Sequence, residues 1–560
     1  YYEHNAVFEW AVNTSFNSGN TIYFQNNNDQ AVIPVFRISQ AIGPVVGAAT
    51  DTEVKGLLQA NASLTWGNGG IKYFRNGIAG SGTVTQNSTS GQFRINGTTS
   101  QLGIAALTLR NNVNSGLALQ SGICTISSPV VANTGPIYVD NGATLIADDV
   151  KTITGSASFT LNSGATLSTA HGSGVNGTIG LSSVSMNSGS NYIFNGTGNQ
   201  ATGSKMAASP GIVTISNTGN GGNNTVTLSN DGTTASTLNL SNGLFALGSG
   251  KQFNIAANGT VNATSGSLAA GDAAGTLNFK GTGTVSATAT VNFWNVNLEA
   301  GSGGVDFGTT GTPTIINEMV LNSGRFISNN APQYGNASTL VYNTGNTFTA
   351  ATEWYTIFTT GRGIPHHVQI GREGVNDTKV DFNPSPFSRQ CTGNVNIGHS
   401  GTGSGYSLIL SSVNGGDLAL RGNWNHYANA SFTPNGRAVT FNGSDATTPN
   451  QTISYFGSGT ATEVFHYLIL NNSATNGSVS ISNTAGSITD VAVNGNFTNA
   501  GYQLQLLGSN PLNLNQRTLY LSGIDGGGVQ VSGGIRSIIG TPMSASYSGG
   551  YLVFQKNKTI

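Results

Sequence analysis

Val139-Asp140-Asn141-Gly142-Ala143-Thr144-Leu145 is followed, 22 residues on, by Leu161-Asn162-Ser163-Gly164-Ala165-Thr166-Leu167. Each copy is an apolar residue, two polar ones, a glycine, and then an alternating run ending in leucine. The glycine marks a tight turn and the run marks a half-buried strand. Leu240-Ser241-Asn242-Gly243 and Leu321-Asn322-Ser323-Gly324 repeat the turn. A second unit is an aromatic strand that ends at a glycine: Ile193-Phe194-Asn195-Gly196, Leu277-Asn278-Phe279-Lys280-Gly281 and Val439-Thr440-Phe441-Asn442-Gly443. A third is an alternating strand: Leu107-Thr108-Leu109, Ile212-Val213-Thr214-Ile215-Ser216-Asn217 and Leu468-Ile469-Leu470-Asn471-Asn472.

Strands of about four to six residues are too short to make an independent sheet. Units that cannot bury a face alone must stack on their neighbours. A repeat of about 20–25 residues holding two or three strands matches one coil of a parallel β-helix. The expected fold is therefore all-β, an elongated parallel β-solenoid of some 25 coils. Tandem β-sandwich modules of roughly 100 residues are the alternative. Stacking explains the composition. Asn and Gly suit tight corners, and stacked Asn side chains can form amide ladders. Like charges piled about 4.8 Å apart would repel. Charged residues are 8 % of the 560, against roughly 25 % in an ordinary globular protein. Residues 1–100, rich in aromatics (Tyr1, Tyr2, Phe8, Trp10, Phe16, Tyr23, Phe24), are expected to form an N-terminal cap or packed segment, with a short helix over 51–61. Residues 101–340 are expected to be solenoid repeats, and 341–560 further β-repeats with longer loops.

A formal net charge of −1 and the lack of a basic stripe argue against nucleic acid as a partner. No apolar window approaches the ~18 residues of a transmembrane helix. The two cysteines, Cys124 and Cys391, would sit many coils apart in a solenoid, beyond disulfide reach, and are expected as free, buried thiols. The chain opens at Tyr1 without a charged leader and is read as a mature product or a fragment.

From residue 415 the units fall into a longer pattern. Gly415-Gly416-Asp417-Leu418-Ala419-Leu420-Arg421-Gly422-Asn423-Trp424 leads to Ala430-Ser431-Phe432-Thr433-Pro434, then Ala438-Val439-Thr440-Phe441-Asn442-Gly443, Gln451-Thr452-Ile453 and Phe465-His466-Tyr467-Leu468-Ile469-Leu470-Asn471-Asn472. This resembles the large secreted β-strand-repeat, adhesin-like surface proteins of Bacteroidota-type bacteria, over residues 360–500. The gaps from Trp424 to Phe432 and from Gly443 to Gln451 are longer than in those proteins, and Ala430 replaces a usual glycine. The resemblance implies export by the type IX route, an extracellular or cell-surface location, and a role in adhesion, surface coating or filaments.

Side chains that could carry chemistry are few. Glu373, Asp377 and Asp381 lie four residues apart near His366, His367, Arg372 and Lys379. They are the candidate ion or polar site, for calcium or a glycan, weighed against a solvated loop at a coil corner. No other cofactor is expected. Asp148 and Asp149, if on a strand, would face opposite sides. His366 and His367, adjacent in sequence, should diverge and lack a third ligand at metal spacing. Trp354, Tyr355 and Trp424, with Trp66 and Trp294, are candidate sugar-stacking platforms; the plainer reading puts such rings inside the coil. No Gly-x-Ser-x-Gly elbow occurs. The expected function is a structural or adhesive surface protein, not an enzyme, that associates with itself, with other surface proteins or with glycans. A carbohydrate-active β-helix enzyme and a glycan-binding module are the alternatives.

Overall fold

The structure is a computed structural model. It describes residues 7–10, 35–46, 51–67, 70–87, 91–112, 114–270, 275–355, 361–443, 449–495, 503–522, 529–531, 538–539 and 551–554. Strand takes 53 % of the chain and helix 1 %, wound as a parallel β-solenoid of about 19 turns with about 24 residues per coil. The chain divides into two compact units, Tyr1–Gly275 and Thr276–Ile560. The turn count is about 19 rather than the expected 25.

In the first unit the quoted repeats lie directly over one another. Thr144 pairs with Thr166 and Leu145 with Leu167, in parallel. Ile123–Ile126 pairs with Thr144–Ala147 on one side, and Thr166–Thr169 with Asn191–Phe194 on the other. Alternation then sorts the side chains. Cys124, Leu145, Leu167, Tyr192 and Val213 form one continuous buried row. A second sheet, from Phe93–Ile95 through Leu117–Leu119, Pro136–Val139 and Ser158–Leu161 to Ser183–Met186, closes the coil with Phe93, Leu117, Ile137 and Phe159 facing inward.

The turn between these sheets explains the motif residue by residue. Gly142, Gly164 and Gly189 all have φ near +80°, where a side chain would be strained. The N–H of Gly164 donates to the carbonyl of Gly189 at 2.9 Å, and that of Gly142 to Gly164 at 3.3 Å. Asn162 donates its amide to the Asp140 carboxylate at 3.0 Å, and Asn187 donates to the Asn162 oxygen at 3.1 Å. Met186-Asn187-Ser188-Gly189 is thus a third copy, hidden in the sequence by a 25-residue offset.

The second unit keeps the parallel pairing but uses longer coils. Trp424 pairs with Val395 and with Ile453, and equivalent outward residues here are 29 apart. Four sheets wall it, the fourth running through Thr460–Phe465, Ser487–Val493, Thr518–Leu521 and Tyr551–Phe554. One runs through His367–Ile370, Val395–Ile397, Trp424–Tyr427 and Asn450–Phe456; the second through Thr347–Thr349, Lys379–Asp381, Tyr406–Ile409 and Ala430–Thr433; the third from Arg389–Cys391 through Ala438–Phe441 to Leu504–Leu506.

Two expectations need correction. Tandem sandwiches would need antiparallel sheets throughout, whereas antiparallel pairing is confined among the described strands to the small Asn483–Thr484/Ser487–Val493 hairpin. The helix over 51–61 is instead two strands, Thr52–Val54 and Leu57–Ala60. Val54, Leu58 and Ala60 alternate inward, and that two-residue period outweighs local helix propensity. Strands pair in register across both soft boundaries, Phe93 with Leu117 and Leu340 with Val368. Tyr1, Tyr2, Phe16, Tyr23 and Phe24 lie outside the described residues. Cys124 and Cys391 are free and buried. Burial pushes their thiols up to about 11 and about 12, far from nucleophilic.

Candidate functional site

The predicted acidic cluster does not converge. Glu373 and Asp377 are exposed on a corner loop, and Asp381 ends the strand Lys379–Asp381. Asp381 accepts hydrogen bonds from the backbone and side-chain amides of Asn383, both at 2.8 Å, which occupies it in a turn. Glu373 accepts a long 3.4 Å bond from Thr402. Among the described residues no three His, Cys, Asp or Glu side chains are placed to hold a metal ion. The four-residue spacing assumed a continuous strand, but Asp377 takes φ +58° and turns the chain between the two ends. Asp148 also sits in a turn, where its Oδ1 accepts the N–H groups of Val150 and Lys151.

Three of the candidate tryptophans are core residues, and Trp294 is half-buried. Trp354 and Trp424 are fully buried and Trp66 nearly so, and neither Trp354 nor Trp424 can offer a ring to a sugar. Trp424 packs on Phe432 at 4.7 Å and on Phe465 at 5.4 Å. Trp354 donates its indole N–H to the Gln390 carbonyl at 3.0 Å and packs edge-on against Phe382. Their positions on inward-facing residues of long coils made room for large rings. Tyr355 is half-buried, 5.7 Å from Phe387, which is 47 % exposed. That pair is a place where the sugar-platform expectation meets an accessible aromatic surface.

The histidines serve the backbone. His171 Nδ1 accepts the N–H of Ser173, and His399 Nδ1 accepts that of Gly401. In His399 this leaves Nε2–H to donate to the Tyr406 hydroxyl at 2.9 Å, which donates in turn to the Arg372 carbonyl. The rings of His366 and His367 do not diverge but meet at 4.2 Å, because His366 precedes the strand and lies on a bend. Their Nδ1 atoms are taken up by Thr392 and by the N–H of Asn394. Burial, and then the neighbouring His366, depress His367 to about 4.

Cations are spent in the same way. Lys205 donates to the carbonyls of Ile179 and Leu181, and Lys251 to those of Leu228 and Ser229. Arg325 is buried and bonds the carbonyls of Glu299, Ser302 and Lys280. Arg362 reaches the carbonyls of Gly308, Ala331 and Gly311. Each ties the corners of adjacent coils together and satisfies carbonyls that would otherwise be orphaned.

Buried glutamines do more of this work, and sequence reading missed them. Gln451 Oε1 accepts from the Gly443 N–H at 3.0 Å and from the Asn472 amide at 2.9 Å, while its Nε2 donates to the carbonyls of Leu420 and Gly422. Gln200 repeats the arrangement. It accepts from Gly196 N–H at 2.8 Å and the Asn217 amide at 3.1 Å, and donates to the carbonyls of Thr169 and His171. The signal was available: Phe-Asn-Gly, a glutamine a few residues on, then an alternating strand ending in Asn.

Two outward columns of the first unit are uncharged. Gln101, Thr125, Ile146, Ser168, Ile193, Thr214, Asn239 and Asn262 form one column through eight coils, exposed or half-buried except at Ser168, which is covered. Beside it run Thr99, Ile123, Thr144, Thr166, Asn191, Ile212, Thr237 and Thr260. Neither column holds a charge, and Ile123 and Ile212 are 43 % and 39 % exposed. In the second unit Asn278, Asn297, Asn322 and Asn343 form a four-rung amide ladder with bonds of 2.9, 2.6 and 2.8 Å. The candidate functional surface is this outer wall of repeating hydroxyl, amide and branched aliphatic groups. Among the described residues no helix is long and apolar enough to cross a membrane. Compared with known proteins, the chain matches no family model, no curated protein and no solved structure.

Proposed function

We propose that this chain is an extracellular structural or adhesive repeat protein of the cell surface, working through its outer walls rather than through a reactive centre. The observation that carries the reading is the pair of uncharged columns running through eight coils of the first unit. Repeated weak donors and acceptors at a fixed coil spacing suit contact spread over many equivalent points, with avidity supplied by number. The resemblance to secreted surface repeat proteins supports export by the type IX route. The use of Lys205, Lys251, Arg325 and Arg362 to hold corners supports a scaffold role, since those groups are committed to backbone carbonyls. A second reading, glycan contact, is favoured by the accessible Tyr355–Phe387 pair.

The test is retention. Beads coated with the purified chain should be held on cell surfaces and on glycan- or protein-coated slides above beads carrying an unrelated protein. Equal retention on every surface would sink the adhesive reading, and release of new reducing ends from polysaccharide would favour the enzyme instead. Phe387→Ala should weaken retention on glycan slides alone if the aromatic pair contributes.

A further inference from the structure

Of the asparagine–glycine turns, Asn242–Gly243 has a geometry of its own. The N–H of Gly243 donates to the Oδ1 of the preceding Asn242 at 2.8 Å. The backbone nitrogen is therefore already folded back onto the side-chain amide whose Cγ carries this oxygen, the proximity that ring closure needs. Asn242 is exposed to water, and Gly243 brings no side chain to obstruct the approach.

We propose that Asn242 is a site of spontaneous, water-driven modification, converting to aspartate and isoaspartate through a cyclic imide. Gly243 N gives its proton to water and attacks Asn242 Cγ. The Cγ–Nδ2 bond breaks and the side-chain nitrogen departs as ammonia, taking up a proton. Water then adds to one of the two imide carbonyls. Opening on one side gives aspartate at 242; opening on the other routes the backbone through the side chain as isoaspartate. Nothing is oxidised or reduced, and water is the sole co-reactant.

The same chain carries its own controls. At Asn195–Gly196 and Asn442–Gly443 the attacking N–H is held by Gln200 at 2.8 Å and by Gln451 at 3.0 Å. At Asn141–Gly142 it points to the Gly164 carbonyl at 3.3 Å. Reaction at those turns must first break a hydrogen bond that aims the nitrogen elsewhere. The product matters because the turn is tight. Gly243 has φ +79°, and a Cβ placed on it would lie 2.6 Å from the Asn224 carbonyl oxygen. An isoaspartyl linkage at 242 adds one more backbone carbon just before this closely packed glycine, so the coil opens locally.

The experiment ages the purified full chain in mildly alkaline buffer and maps amide loss by peptide mass spectrometry with isoaspartate-specific fragmentation. The expected result is conversion at Asn242 about tenfold faster than at Asn195 and Asn442, the ratio that ~1.4 kcal/mol of hydrogen bonding gives, with Asn141 between. In strong denaturant the four sites should converge. Gln200→Ala, checked for a native spectrum, should raise the rate at Asn195. An intact Asn242 in aged native protein overturns the proposal. So do rates at Asn195 and Asn442 equal to the rate at Asn242, or the same ranking in denaturant.

Discussion

At the residue scale the informative groups are the few ionisable ones sealed inside the second unit. His426 Nδ1 lies 2.6 Å from a carboxylate oxygen of Glu463, which is only 1 % exposed. Burial lowers the His426 pKa, but the charge of Glu463 and its hydrogen bond outweigh burial and the net shift is upward from 6.5. A histidine raised in the folded state lends stability that is fully present below pH 6.5 and fades as pH climbs through the folded value. His426→Ala should cost about 3–5 kcal/mol in urea unfolding below pH 6.5, since it leaves Glu463 buried without its partner. The gap to wild type should narrow above that range; a gap independent of pH would mean the pair is not ionic. Glu353 is the converse case. It is fully buried, accepts from the Tyr342 hydroxyl at 3.0 Å and the Ala351 N–H at 2.8 Å, and its other oxygen has no partner. Burial raises its pKa above the ordinary 4.5 despite those bonds. Its contribution is therefore present below pH 4.5 and lost as pH rises through the raised value. Glu353→Gln should remove that loss, so thermal melts at neutral pH should show a Tm at least equal to wild type. A large drop would show that the carboxylate itself is required.

At the element scale the unit of stability is a corner, and the glutamine hub is its clearest instance. Gln451→Ala would take a partner from the Gly443 N–H and the Gly422 carbonyl, and one of two partners from the Asn472 amide and the Leu420 carbonyl, which keep the Pro449 carbonyl and the Asn442 N–H. At about 1–3 kcal/mol per buried unsatisfied group, softened by relaxation, a loss of about 3 kcal/mol is expected. Asn472→Ala combined with it should cost less than the two singly, because both remove the same bond; strict additivity in denaturant titrations would refute the hub. Gln200→Ala should behave alike in the first unit. These hubs mark where sequence reading stopped. The strands were legible because Thr144-Leu145 and Thr166-Leu167 alternate in a two-residue period that only a half-buried strand explains. The amide ladders were legible as a consequence of stacking. Gln200 and Gln451 were signalled only by their shared place after Phe-Asn-Gly, because a lone polar residue among Asn, Ser and Thr does not by itself show that it is buried. The Glu373–Asp377–Asp381 cluster and the Trp354 and Trp424 platforms failed for a related reason. Spacing along the chain says nothing about a corner at Asp377, or about which side of a long coil an aromatic ring will fill.

At the scale of the whole molecule the fold is repetition, and repetition makes a demand on length. Contacts in such a column run between nearest neighbours, so a complete coil is a removable part and a fraction of one is not. Deleting residues 145–166 joins Thr144 to Leu167, the residue that already pairs with Leu145. The incoming coil would then present Leu167 inward beneath Cys124, set Gly189 against Gly142, and offer Asn187 to Asp140 in place of Asn162. Deleting 145–165 instead, one residue fewer, shifts the alternation by one. Leu167 and Tyr192 would have to part company in register, or a buried row would turn toward solvent. The whole-coil deletion should therefore keep the β spectrum, a cooperative melt and resistance to limited proteolysis. The shorter deletion, although it removes less of the protein, should be cleaved rapidly and lose that melt. Two variants that behaved alike would show that this region is held by something other than the stacking of equivalent positions.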